Sequence, residues 1–215
     1  MERRERKETR LERDVKSFCG WSYIKELVHL CSFPELIMGL FLTGGRATEL
    51  LQLRKGHFRE FNEYYEVFGM PVLKRYKVLD ITVQEDGHKR YKTELLHHER
   101  TFPILKSEPF SKELWDYAQA CKDYLFSFSP EYDDPYGKLY WLVRNIPAPP
   151  NPYAPTHLYP HWFRGQRASQ LRIEYNLDVD QIMRFFEWKT FEVARRYAGM
   201  SSKDLAQVML EATRR

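Results

Sequence analysis

The stretch from Ser32 to Leu53 constrains the fold more than any other. Ser32-Phe33-Pro34-Glu35 opens a helix, with Ser32 or Phe33 near its cap. Pro34 suits the first turn, where a missing N–H costs nothing. From there to Leu42 the chain is apolar nearly all round, through Leu36, Ile37, Met38, Leu40 and Phe41. Such a helix has no solvent face and is expected at the centre of the fold. Gly44-Gly45 ends it, and Arg46 leads into Ala47-Thr48-Glu49-Leu50-Leu51-Gln52-Leu53. An arginine directly after a buried helix is costly unless it meets an anion. Either it forms a salt bridge to Glu49 or another carboxylate, or it is a phosphate clamp held by Glu49 or its neighbours.

A second stretch runs from Pro160 to Tyr197. It begins Pro160-His161-Trp162-Phe163-Arg164. His161 and Arg164 are spaced i, i+3, so on a helix they share one face. It ends with Trp188, nine residues before Tyr197, which follows Arg195-Arg196. Each feature alone is weak: a lone histidine or tryptophan is more often a core or surface residue, and Tyr197 is one of 14 tyrosines.

In their order and spacing, these fragments resemble the catalytic domain of the tyrosine recombinases, the phage-integrase family, of archaeal or viral integrase type. There, a Gly-x-Arg-x-x-Glu-Leu box, a His-x-x-Arg box, a His or Trp, and a tyrosine nine residues later form one active site. The matching positions are Arg46, His161 with Arg164, Trp188 and Tyr197. The resemblance implies an α+β, mainly helical fold with a small antiparallel sheet. It also implies an enzyme of DNA recombination and integration that breaks and rejoins DNA through a phosphotyrosyl intermediate. Two departures bear on turn geometry: Gly165 stands where a second histidine is frequent, and Glu187 where a glycine usually precedes the His or Trp.

Composition sets the bounds. The 215 residues suffice for one domain with an arm. Hydrophobic residues at 43% and charged residues at 30% fit a globular chain. No apolar run reaches membrane-span length, and Met1-Glu2-Arg3-Arg4 does not open a signal peptide. Cys19, Cys31 and Cys121 show no metal or disulfide spacing, which suits a reducing cytoplasm, or the host cytoplasm or nucleoid for a viral protein. Net charge is only +4, so charge alone does not argue for nucleic-acid binding.

Residues 1–14 are almost wholly charged and read as a solvated arm or a linker that touches DNA phosphates; residues 15–215 read as the catalytic domain. The family's N-terminal DNA-clamping domain is not expected in the roughly 45 residues before Arg46. Residues 15–31 carry a helical period through Phe18, Trp21, Ile24, Leu27, Val28 and Cys31. Residues 56–104 read as β structure with long excursions and a turn at Glu85-Asp86-Gly87, closed by Arg100-Thr101-Phe102-Pro103-Ile104. The adjacent His97-His98 would point to opposite faces of a strand, so shared metal ligation is rejected. Ser111-Lys112-Glu113 caps a helix expected to reach Phe126 or Phe128. Leu139 to Val143 is an apolar run, and the Pro-rich stretch from Pro147 to Pro155 delivers the chain to the His161 helix. Asp178 or Asp180 caps the next helix, Tyr197 sits on another, and Ser201 to Asp204 caps a last one.

The resemblance also assigns roles. Arg46 and Arg164 hold the non-bridging oxygens of a DNA phosphodiester with permanently charged, bidentate donors. Tyr197 attacks phosphorus, forming a 3′-phosphotyrosyl linkage. His161 is base or positioner, and Trp188 can donate one hydrogen bond but accept no proton. A hairpin lysine protonates the leaving 5′ oxygen; Lys74 is preferred over Lys77, Lys89 and Lys92, because it follows an apolar strand-like run. Arg195 and Arg196 would add phosphate contacts. No metal or nucleotide cofactor is implied. The expected partner is double-stranded DNA, with tetramers on it. A type IB topoisomerase-like enzyme and a DNA-binding remnant with little turnover are the alternatives.

Overall fold

Gly20, with φ of 86°, ends the irregular entry into the first helix, α1 (Trp21–Leu30). The computed structural model describes residues 18–72, 76–83, 89–95, 98–128 and 134–188, and for 76–83 and 89–95 the backbone alone. The helical period seen from Phe18 onward therefore holds only from Trp21, since a positive φ does not continue a helix. Phe18 still packs, its ring stacked on Phe41 at 5.9 Å.

The apolar helix is α2 (Pro34–Thr43), with Phe33 as its cap and Pro34 in its first turn. Every residue from Leu36 to Thr43 is buried. Each large apolar side chain among them contributes roughly 1.5–3 kcal/mol by leaving water. Gly44 ends the helix in the left-handed conformation, and the single turn α3 (Ala47–Leu50) follows Arg46.

The β region is two units. β1 (Phe58–Glu60), β2 (Tyr64–Pro71) and β5 (Glu99–Leu105) form an antiparallel sheet in the order β1-β2-β5, while β3 (Tyr76–Val83) and β4 (Lys89–Leu95) pair as a separate ribbon. The first six residues of β2 are not evident in the sequence. Tyr65 and Val67 point inward in strict alternation, but a bulge between Val67 and Met70 shifts the phase, so Met70 is also buried. Gly69 supplies the positive φ of 65° that this bulge uses.

Four more helices complete the described residues: α4 (Ser111–Ala120), α5 (Pro135–Arg144), α6 (Pro160–Ile173) and α7 (Val179–Phe186). α4 stops at Ala120, short of Phe126, because the chain turns out to pair with the segment after α3: Lys55 N–H donates to Asp123 O (2.8 Å) and Leu125 N–H to Leu53 O (3.0 Å). Tyr124 is exposed there. Phe110, not Ser111, occupies the N-cap position of α4, and the Ser111 hydroxyl donates to Lys106 O at 3.0 Å. The apolar run from Leu139 to Val143 lies within α5, and the Pro-rich stretch carries neither helix nor strand. Asp178 caps α7, accepting from Gln181 N–H at 2.7 Å. α2 packs on α1, α4 and, most extensively, α6, so the central helix touches the helix that carries the His-x-x-Arg box. Among the described residues, no helix is long and apolar enough to cross a membrane.

Candidate active site

Two glycines let the elements of the site converge. A Cβ on Gly44 would drive into the Phe186 ring, and one on Gly45 would stand 2.6 Å from Met70 Cε. With no side chain at either position, the α2–α3 turn closes onto the end of α7 and onto β2. Arg46 emerges from that turn, and its backbone N–H donates to Glu49 Oε2 at 2.9 Å. Its guanidinium forms an ion pair with Glu49 Oε1, while its side chain keeps 24% of its surface exposed.

Glu49 is the centre of the cluster and is fully buried. Arg164 Nη1, from α6, lies 3.6 Å from its Oε2, and Arg100 Nη2, from β5, lies 4.0 Å away. Of the two alternatives open for Arg46, the salt bridge to Glu49 is present, and Glu49 is shared by three guanidinium groups. Burial pushes the Glu49 carboxyl up, but Arg164, Arg100 and Arg46 outweigh that and hold it below the ordinary carboxylate value. Burial pushes Arg100 down, to about 10, which leaves it cationic at neutral pH.

Arg164 is 1% exposed. Its Nη1 donates to Gly44 O (2.7 Å) and its Nη2 to Phe186 O (3.3 Å). Its guanidinium also lies 4.7 Å from the Phe186 ring centroid and 5.4 Å from that of Trp188, and the two rings stack at 4.5 Å. Planar, delocalised guanidinium suits such faces better than an ammonium. Trp188 reaches this position because Glu187 takes a left-handed φ of 53° at the end of α7. The residue that departs from the family's usual glycine therefore adopts a conformation that glycine favours. Glu187 Oε2 also sits 3.0 Å from His98 Nε2.

The structure thus brings Arg46, Arg164 and Trp188 into one cluster. His161 lies half-buried one helical turn before Arg164. Lys74, Arg195, Arg196 and Tyr197 lie outside the described residues, as does His97. Of the other lysines considered, Lys77 is on β3, and Lys89 and Lys92 are on β4. Among the described residues, no group of three or more His, Cys, Asp or Glu could hold a metal ion.

Two buried arginines are not evident from the sequence. In the folded chain Arg100 shares the buried face of β5 with Phe102 and Ile104. Arg167, one turn beyond Arg164, pairs with buried Glu108; its Nη2 lies 3.1 Å from Glu108 Oε2, and the Tyr175 hydroxyl donates to Oε1 at 2.8 Å. Nothing local announces the Glu108 pair, since the partners are 59 residues apart.

No family model matches the chain, and no curated protein matches it. Solved structures do. A crystal structure of XerA recombinase superposes with a TM-score of 0.60 at 14% identity, covering 92% of this chain and 65% of that one. XerH site-specific recombinase bound to palindromic difH substrate, a post-cleavage complex, gives 0.55 at 15%, covering 91% and 53%. The Tn1549 transposon integrase in complex with circular intermediate DNA gives 0.56 at 13%, covering 90% and 66%. The chain thus spans between about half and two thirds of these proteins. With seven helices among its described residues and a small three-stranded antiparallel sheet, it has the fold of the tyrosine recombinases and integrases.

Proposed function

We propose that this chain is the catalytic domain of a site-specific DNA recombinase or integrase, cleaving and rejoining strands through a 3′-phosphotyrosyl bond to Tyr197. The observation that carries this reading is the Glu49 cluster. Three guanidinium groups converge on one buried carboxylate, leaving excess positive charge where an anion would offset its cost. A DNA phosphodiester is such an anion, and its transition state carries more negative charge than its ground state. Cations already held in place at that point commonly lower the barrier more than any other single effect.

In this reading Arg46, the partly exposed member, takes a non-bridging oxygen directly, and Arg164 holds the second from the floor of the site. Trp188 packs against Arg164 and offers its indole N–H to phosphate. His161 positions or deprotonates Tyr197, whose ordinary pKa near 10 calls for such help. A lysine, Lys74 by preference, protonates the leaving 5′ oxygen. The hydroxyl proton leaves Tyr197 as its oxygen bonds phosphorus, and the P–O bond to the 5′ oxygen breaks. Arg195 and Arg196 add phosphate contacts, and four copies assemble on paired duplexes by exchanging the segment 202–215.

The test is a nicked duplex whose released end diffuses away, trapping the covalent intermediate. A denaturation-resistant adduct that disappears in Tyr197→Phe supports the reading. Absence of adduct, with duplex binding intact, favours the DNA-binding remnant. Relaxation of supercoils without pairing of two marked duplexes favours the topoisomerase-like alternative.

A further inference from the structure

We propose that Arg100, to which the reading above gives no contact with the phosphate, is a positioning residue that fixes the two catalytic turns to each other through Glu49; this rests on the recombinase reading above. Its side chain is fully buried. Its contacts fall on the framework of the site. Nη2 donates to Thr43 O (2.8 Å), three residues before Arg46, and Nη1 to Phe185 O (3.1 Å), three residues before Trp188. Nη2 also lies 3.3 Å from Met70 Sδ and 4.0 Å from Glu49 Oε2. Its guanidinium lies 4.4 Å from the Phe102 ring centroid on its own strand, which fixes its plane.

One rigid, planar fork on β5 thus holds the end of α2, the end of α7 and the carboxylate that pairs with Arg46. The two turns are far apart in sequence, and their separation in space is set by where the guanidinium nitrogens reach. A lysine, with one donor centre, cannot reach both carbonyls and the carboxylate together. Arg100 therefore acts on the reaction only by placing Arg46, Glu49 and Trp188.

The test is a double-mutant cycle in the full chain with Arg100→Met, Glu49→Gln and the pair, together with Arg100→Lys. The first readout is the rate of adduct formation on the nicked duplex. Each single variant is expected to slow it by roughly tenfold to hundredfold, as small misplacements of catalytic groups do. The pair should be no slower than the worse single variant, because both act through the same placement. Arg100→Lys should recover only part of the loss. The second readout is independent of catalysis: the rate at which a 1,2-dicarbonyl reagent modifies Arg46, followed by peptide mapping. It should rise several-fold in Arg100→Met and in Glu49→Gln, and no further in the pair.

Multiplicative effects on cleavage, an unchanged rate in Arg100→Met, or unchanged Arg46 labelling would overturn the proposal. If Arg100→Met does not fold, Arg100→Lys carries the same two readouts. If the wild-type chain forms no adduct that depends on Tyr197, the recombinase reading fails by itself, and the labelling cycle alone decides the role of Arg100.

Discussion

Arg46 and Arg164 carry the same charge but should respond differently to removal. Arg164→Ala strips the donor from Gly44 O and Phe186 O, both held at 3.3 Å or less. Leaving a buried acceptor unsatisfied costs about 1–3 kcal/mol. The lost faces of Phe186 and Trp188 add about 0.5–2 kcal/mol. Partial relaxation and entry of water offset some of this, so the net cost should be about 4 kcal/mol, within the range of about 3–5 kcal/mol for breaking a buried charge pair. For a chain of this size each kcal/mol moves Tm by roughly 2–4 °C, so Tm should fall by about 8–16 °C. Arg46 has 24% of its side chain exposed and loses one partly solvated pair. Its removal should cost about 1 kcal/mol after solvent screening. Adduct formation, in contrast, should fall by on the order of 10² or more in both variants, as each loses one preorganised donor. Calorimetry of the two variants beside wild type, with single-turnover cleavage below the lower Tm, reads both quantities. Equal Tm values for the two variants would refute the division of labour drawn from their burial. Full cleavage in Arg164→Lys would refute bidentate clamping.

Tyr197→Phe should abolish the covalent adduct while leaving duplex affinity within a few-fold; persistence of the adduct on a gel would show the nucleophile to be another residue. Gly44→Ala should be disruptive, since it combines a left-handed φ of 55° with a collision against Phe186; a Tm indistinguishable from wild type would contradict the close approach of that turn to α7. Glu49 and Glu108 both have folded pKa values depressed by buried arginines against the opposing pull of burial. Their contribution is full above the unfolded carboxylate value, near 4.3, and is lost as pH falls from there through the folded values. Acid unfolding followed from about pH 6 to about pH 3 should show that loss, and Glu108→Gln should flatten it; an unaltered profile would remove Glu108 as a cause. Duplex binding should be weak and fall steeply with salt, because with net charge of only +4 the affinity rests on a few phosphate contacts. Salt-insensitive nanomolar binding, or a stable tetramer without DNA, would count against the proposed mode.

What the sequence determined by itself is what local rules govern. The all-round apolarity of Leu36 to Leu42 placed α2 at the centre, Pro34 and Gly44 set its ends, and an aspartate at 178 or 180 capped α7. The spacing of His161 and Arg164 put both on α6, and the order of the boxes pointed to the fold that the superpositions show. These features depend on neighbours within one or two turns, so they are written along the chain. The rest depends on groups far apart in sequence. α4 stops early because residues 53–55 offer a pairing partner that helix propensity does not register. The Val67–Met70 bulge hides β2 by shifting the phase of its alternation. Above all, the sequence presents Arg100 and Arg167 as two of 34 basic residues. Only the packing of β5 and α6 against α2 and α7 takes them out of water and gives each a carboxylate. A buried charge needs a partner, and for Arg100 and Arg167 distant segments supply it, so their burial is a property of the tertiary fold.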